Sequence, residues 1–455
     1  MLLKSKDIIR GFHVSMYRNL LGLTLSLVSL FLIARAIGPK EYGQYFVAGV
    51  TLDFISCLCQ LGLGPVVQRK NGEQFEKFWR QYFTLSFSTA ILISVLLVLT
   101  VGSLPLLTGQ IKNILCIMSL GLPALVGLTS IRVASEKKLR LNELVVAELL
   151  GQIVFILVSV SLISWGWGAT APASAWLLQV NLIFWILFFR KKKMLDLKWD
   201  LSELGRMVRL GTSQLVITLL LEARVPLMVS VAAPSFGLGI TGELGIIRRL
   251  VQKLNLFNSS NGRLTMMVCS TYTNNRRRLK IFIAKNLWGN IIGFGLLGCL
   301  VVTIPDKIVY LLMGPEWVSV KKVIPYFISS FLLLSACSVL DVALQATDAV
   351  RLRMGSALVY LLTLLMGSIF FVSAYGFVGW GYAELLSSAV YMAGLLMMVR
   401  TKVGRIPISS ALLMLTAFVG SIATRNFWGM IPLTLMLCLS ARAALRRVGA
   451  FVNPY

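Results

Sequence analysis

The stretch FHVSMYRNLLGLTLSLVSLFLIARAIGPKEYGQY, residues 12–45, decides the fold class. Its apolar part, Phe12 to Ile37, exceeds the roughly 20 residues that an α-helix needs to cross a bilayer. A basic cluster, Lys4, Lys6 and Arg10, precedes it, and the uncharged turn Gly38-Pro39 ends it. A signal-peptide core is shorter and leads to a small-residue cleavage site. This run has no convincing site of that kind, so it is expected to remain as a first transmembrane helix.

Outward from this stretch the same alternation repeats. Basic clusters recur at Arg69/Lys70/Lys77/Arg80, Lys137/Lys138/Arg140, Arg190 to Lys193, Arg276 to Arg278, Arg351/Arg353, Arg400/Lys402/Arg405 and Arg442/Arg446/Arg447. The gaps between them are short and nearly uncharged: Trp165 to Gly168, Ala232 to Pro234 and Tyr375 to Phe377. Positive charge is retained on the cytoplasmic side of a membrane, so both termini are expected inside. The net charge of +26 thus reflects topology and requires no nucleic acid. With 57% hydrophobic and 14% charged residues and a mean hydropathy of +0.81, the composition lies far from that of a soluble domain.

The expected fold is all-α and polytopic, with about 14 transmembrane helices: twelve in two six-helix bundles, plus a C-terminal pair. Crossings are expected at about 12–37, 42–67, 81–107, 111–134, 143–166 and 170–189, then 209–233, 236–262, 281–304, 323–348, 355–375 and 378–399. The short final pair falls at about 408–424 and 427–444. This divides the chain into a first bundle at 1–190, a basic linker with an interfacial helix at 191–208, a second bundle at 209–400, and a helix pair with tail at 401–455. Ala36 to Asp53 and Ala232 to Arg249 are similar: each ends a long helix at a Gly/Pro turn and opens a polar one. Such internal repeats are the usual build of secondary transporters, with the substrate site between the halves.

Seven cations are left once those on the two membrane faces are set aside: Arg18, Arg35, Arg224, Arg248, Arg249, Lys253 and Arg263. A cation at membrane depth costs about 2.5–3.5 kcal/mol on insertion scales, so each calls for water, a partner or a substrate path. On the eighth expected helix Arg248, Gln252, Asn255 and Ser259 form one polar stripe, widened by Arg249 and Lys253. Pairing with acids on neighbouring helices is the alternative for these cations. Asp53 and Gln60 make a second stripe on the second helix, beside which Arg18 stands on the first. The seventh helix carries Gln214, Thr218 and Glu222, and Pro226 removes the helical partner of the Glu222 carbonyl, giving a hinge and an ion or proton site. The tenth holds Asp341, Gln345 and Asp348, the last within reach of Arg351. An excess of fixed cations in a low-dielectric cleft favours an anion, and the planar arginine fork suits phosphate. The seven cysteines lie in apolar runs, and the lone histidine, His13, excludes multi-histidine metal sites.

At ARAIGPKEYGQY (Ala34 to Tyr45) and QLGLGPVVQRKNGE (Gln60 to Glu73) the chain resembles the polysaccharide flippases of the multidrug/oligosaccharidyl-lipid/polysaccharide exporter superfamily. Arg35, Gly38, Pro39, Tyr42 and Gly43 match that family's first turn. The resemblance implies alternating access by two six-helix bundles in a bacterial inner membrane, moving undecaprenyl-pyrophosphate-linked oligosaccharide outward for O-antigen or exopolysaccharide synthesis. It places the cationic cavity at Arg18, Arg224, Arg248, Arg249 and Lys253. A monomer is implied, with membrane lipids and polysaccharide polymerase or export machinery as candidate partners. The chain departs from the family pattern at Gly211-Thr212-Ser213, at Glu222 or Arg224, where an Asp is common, and in lacking a late eighth-helix proline. No ATP-binding motif is present, so an H+ or Na+ gradient or the membrane potential would drive transport, without a cofactor. Two other classes stay open: an ion-coupled organic-cation antiporter, needing a buried acid such as Asp53, Glu222 or Asp341, and a membrane-embedded glycan polymerase, needing a larger outer loop than 305–322.

Overall fold

The computed structural model describes residues 5–68, 72–103, 108–137, 141–191, 201–271, 275–303, 306–317, 319–346, 349–404 and 409–424. Their structure is helical, without a strand among them. In chain order the helices are α1 (Ser5–Cys59), α2 (Leu63–Gln68), α3 (Gly72–Thr100), α4 (Gly109–Ser119), α5 (Leu122–Lys137), α6 (Leu141–Ser164), α7 (Thr170–Lys191) and α8 (Leu201–Glu222). Then follow α9 (Arg224–Thr271), α10 (Arg276–Val302), α11 (Asp306–Met313), α12 (Val320–Ala346), α13 (Val350–Tyr375), α14 (Gly379–Lys402) and α15 (Ser409–Thr424). Among the described residues eight helical runs are long and apolar enough to span a bilayer, and a bent pair, α4 with α5, adds a ninth at a 45° break. The chain is therefore a multi-pass membrane protein.

The runs are fewer than the expected crossings because three of them contain a break where the sequence places a turn. Gly38 interrupts α1 with φ 74° and ψ 171°. Gly237 interrupts α9 with nearly the same values, 78° and 177°. The third break is the short turn Gly376–Val378 between α13 and α14. A positive φ suits glycine, which lacks the Cβ that would clash. Pro39 follows Gly38 directly, at the start of a new helical segment, where its missing N–H has no partner to lose. The crossing expected at 427–444 and linker residues 192–200 lie outside the described residues.

Two compact units are present, Met1–Ile246 and Ile247–Tyr455. In the first, α3, α5, α6 and α7 enclose Phe83, Leu128, Ile131, Leu144, Ile183 and Phe184. Stacked Phe83, Phe87 and Phe184 rings, at 5.4 and 5.6 Å, run through it. Lipid tails are as apolar as this core, so packing and interhelical hydrogen bonds hold the helices together. The Trp79 indole N–H donates to the Ser130 carbonyl at 2.8 Å. Gln179 donates to Gln152, which donates to Ser29, linking α7, α6 and α1. Leu92, Leu99, Leu157 and Phe189 project outward, as a lipid-facing surface requires.

Residues 201–246 join this first unit through backbone contacts at glycine. A Cβ on Gly43 would overlap the Leu238 carbonyl, and one on Gly242 would overlap the Pro39 carbonyl. Gly43 and Gly242, like Pro39 and Leu238, are separated by the same interval in sequence as Gly38 and Gly237. The contact is therefore reciprocal, as at a two-fold axis relating the two repeats. Further along α8, a Cβ on Gly211 would lie 2.5 Å from the Leu61 carbonyl oxygen.

In the second unit α12 is central, packed by α10, α14 and α15. Ser330 and Ser388 share a buried hydrogen bond at 2.6 Å between α12 and α14. The Phe294 ring of α10 meets Phe331 of α12 edge-on at 5.4 Å.

Gly43→Ala should destabilise the protein by about 1–3 kcal/mol, since the obstacle is backbone and cannot rotate away. Gly293→Ala, where no atom lies within 4 Å, should be neutral or stabilising, because alanine favours helix by up to about 1 kcal/mol. Thermal unfolding of the two purified variants in one detergent checks the contrast.

Candidate functional site

The sequence-derived site residues divide between the two units. Asp53, Gln60, Glu222, Arg224 and Pro226 belong to the first. The α8–α9 boundary falls at Ala223, which still bonds to the Leu219 carbonyl at 2.8 Å and accepts from Leu227 at 2.9 Å. The break thus sits three residues before Pro226, where a proline's missing N–H and ring displace the preceding turn. Glu222 is exposed and Arg224 half-buried. Asp53 is also exposed, and both Asp53 and Glu222 come within electrostatic range of Cys57. The packing of α1 on α8 thus brings two of the sequence-chosen acids into one neighbourhood. Gln60 ends the same stripe, half-buried at the turn after α1.

Arg248, Arg249, Gln252, Lys253 and Asp341 belong to the second unit. Arg248 is buried and its Nη1 donates to Glu384 Oε1 of α14 at 3.0 Å, with side-chain exposures of 4% and 1%. This is the acid-paired alternative for a cation at that depth. One step along the helix the environment changes: Arg249 and Lys253 are half-buried and Gln252 is exposed. The stripe therefore has a buried end and a less buried end. The side chains of Arg18, Asn255 and Ser259 lie outside the described residues.

Asp341 is held by Arg353 of α13 through two hydrogen bonds of 2.7 Å, from Nε and Nη2 to its two carboxylate oxygens. A carboxylate in that bidentate grip is engaged structurally. Asp348, expected near Arg351, lies outside the described residues. Sequence reasoning did not single out Glu384 or use Arg353 as a partner. The available signal was an acid alone in the otherwise uncharged run from Val378 to Val399. Among the described residues no three His, Cys, Asp or Glu side chains gather as a metal site would require.

Helical repeats with mid-helix breaks and internal pseudo-symmetry are the usual build of secondary carriers. Comparison with solved structures gives that type a fold. The chain is similar to the lipid II flippase MurJ in an inward closed conformation, with TM-score 0.70 and 15% identity over 98% of each chain. It is similar to an inward-facing multidrug resistance MATE transporter of the MOP superfamily, with TM-score 0.63 and 12% identity, covering 84% of this chain and 95% of that one. A MOP-superfamily transporter from Pyrococcus furiosus, described as having a binding pocket of reverse polarity, gives 0.61 and 13%, covering 91% and 96%. Residues 32–233 match the family described as polysaccharide biosynthesis protein. The chain thus shares its fold with these transporters, and the family match covers the stretches Ala34–Tyr45 and Gln60–Glu73 on which the resemblance rested. No curated protein matches it in sequence.

Breaking a buried ion pair from one side leaves the other charge uncompensated and costs about 3–5 kcal/mol, whereas replacing both partners by apolar groups is often neutral. Glu384→Leu alone should therefore lower the yield of folded protein and its Tm sharply. Arg248→Met combined with Glu384→Leu should recover most of the loss, as fluorescence-detected gel filtration after heating would measure.

Proposed function

We propose that the protein is a non-enzymatic flippase that carries a polyprenyl-diphosphate-linked oligosaccharide across a bacterial cytoplasmic membrane for cell-surface polysaccharide synthesis. The family match over residues 32–233 is the observation that carries this reading, and the likeness in fold to a lipid II flippase supports it. The charge distribution agrees with an anionic head group. Asp341 and Glu384, two acids at membrane depth, are engaged by arginines. Arg249 and Lys253 remain partly accessible on α9.

In this mechanism Arg249 and Lys253 receive the diphosphate, and Gln252 between them hydrogen-bonds the first sugars. Arg248 stays tied to Glu384 and anchors the helix that presents them. The sugars travel through a hydrated path, which avoids the cost of stripping water from hydroxyl groups in the bilayer. The prenyl chain remains in lipid. The α8–α9 break at Ala223 and the breaks at Gly38 and Gly237 are the points where rigid segments can rotate. An ion gradient or the membrane potential supplies the drive, and the carrier works as a monomer alongside polymerase or export proteins.

Proteoliposomes holding a fluorescent prenyl-diphosphate oligosaccharide in the inner leaflet provide the test. The wild-type protein should expose it to an external quencher, and Arg249→Ala/Lys253→Ala should slow exposure at least tenfold while leaving Tm unchanged. A wild-type protein that exposes no glycolipid but exchanges an organic cation for H+ or Na+ would instead establish the antiporter.

A further inference from the structure

The reciprocal crossing of α1 and α9 carries a buried acid that the proposed transport path does not use. Glu243 directly follows Gly242, at 6% exposure, inside a run of buried residues from Thr241 to Arg248. Its Oε2 is fully enclosed and has no hydrogen-bond partner. Two other buried or half-buried acids are held by arginine, Glu384 by Arg248 and Asp341 by Arg353. Glu243 has no such ion pair among the described residues.

The repeat identifies the chemical form that fits this place. The position equivalent to Glu243 in the first repeat is Gln44, directly after Gly43 and equally buried at 5% exposure. Gln44 is the neutral isostere of a protonated glutamate, and its Nε2 donates to Gln110 Oε1 of α4. One helix of the pair therefore fills the site with a permanently neutral group, and the other with a group that is neutral only when it binds a proton. An ionised carboxylate without a partner is strongly disfavoured in an apolar interior, so close packing selects the protonated form. The charged and titratable groups on the crossing segments are Lys40, Glu41, Tyr42 and Tyr45 on α1 and Arg248 and Arg249 on α9 itself. Arg248 is engaged by Glu384 of α14, and no hydrogen bond or ion pair among the described residues joins any of these groups to Glu243.

We propose that Glu243 is a proton-binding site that couples protonation to the Gly43–Gly242 crossing: it is neutral when the crossing is closed and ionises when the segments part and water enters. The sign follows from burial. Closing takes up a proton, so low pH favours the closed crossing and rising pH opens it. With the basic clusters inside, Gly38-Pro39 lies at the outer end, and the proton comes from the outer side. An acidic exterior then favours resealing after release of cargo. This coupling stands independently of which substrate is carried.

Nitroxide labels at the symmetry-equivalent positions Lys40→Cys and Gly239→Cys, with the native cysteines replaced, report the crossing in substrate-free nanodiscs by pulsed electron-spin distance measurement. With wild-type Glu243 the short-distance population should dominate at pH 5 and give way to longer distances towards pH 9, by up to about tenfold per pH unit, the limit for one proton. Glu243→Gln should hold the short distance at every pH, Glu243→Asp should keep the response, and Glu41→Gln should leave it as in the parent. A distance distribution independent of pH in the labelled parent would overturn the proposal without requiring any variant to fold. So would a Glu243→Gln protein that retains the parent's pH response, or loss of that response in Glu41→Gln.

Discussion

Backbone contact between Gly43 and Gly242 is the constraint from which the arrangement of the first unit follows. With no side chain on either residue, Pro39 and Leu238 present their carbonyl oxygens to the opposing helix at a distance that alanine could not share. Contacts of this kind substitute, in lipid, for the hydrophobic drive that packs helices in water. The positive-φ breaks at Gly38 and Gly237 aim the two helices at one another. Gln44 and Glu243 then fall at equivalent buried places beside the crossing. Arg249 and Lys253 follow Glu243 six and ten residues further along α9.

Charge in the membrane interior is resolved here in two ways. Arg248 and Arg353 are neutralised by Glu384 and Asp341, and these pairs lock α9 to α14 and α12 to α13. Neither pair is expected to be a large net source of stability, because desolvation offsets most of the attraction. Their value is positional, since a single-sided loss is so costly that each helix is held in register. Arg249, Gln252 and Lys253 face a less enclosed environment.

Much of the fold is legible from the order of residues alone. Basic clusters alternating with uncharged Gly/Pro turns locate the membrane runs, and the likeness of Ala36–Asp53 to Ala232–Arg249 foretells the matched backbone at Gly38 and Gly237. The first-turn residues Arg35 to Gly43 carry the resemblance to the polysaccharide flippases, and they lie within residues 32–233, which match a family described as polysaccharide biosynthesis protein. The site is less legible because charge compensation is long-range. Helical periodicity places Arg248 on a polar stripe but says nothing of Glu384, which lies 136 residues away. Asp341 shares a helical face with Gln345 and Asp348, yet its partner Arg353 comes from the following helix. Glu243 escapes notice for the same reason: its distinction is the lack of a partner, which only a three-dimensional arrangement can reveal.

The most direct measurement is an electron cryo-microscopy structure of the protein in nanodiscs with a short-chain polyprenyl-diphosphate disaccharide bound. Diphosphate density within hydrogen-bonding distance of Arg249 and Lys253, with Arg248 still bridged to Glu384, is the expected result. Density for the diphosphate at a site without these two side chains would contradict the assignment of α9 as the helix that receives the lipid-linked head group.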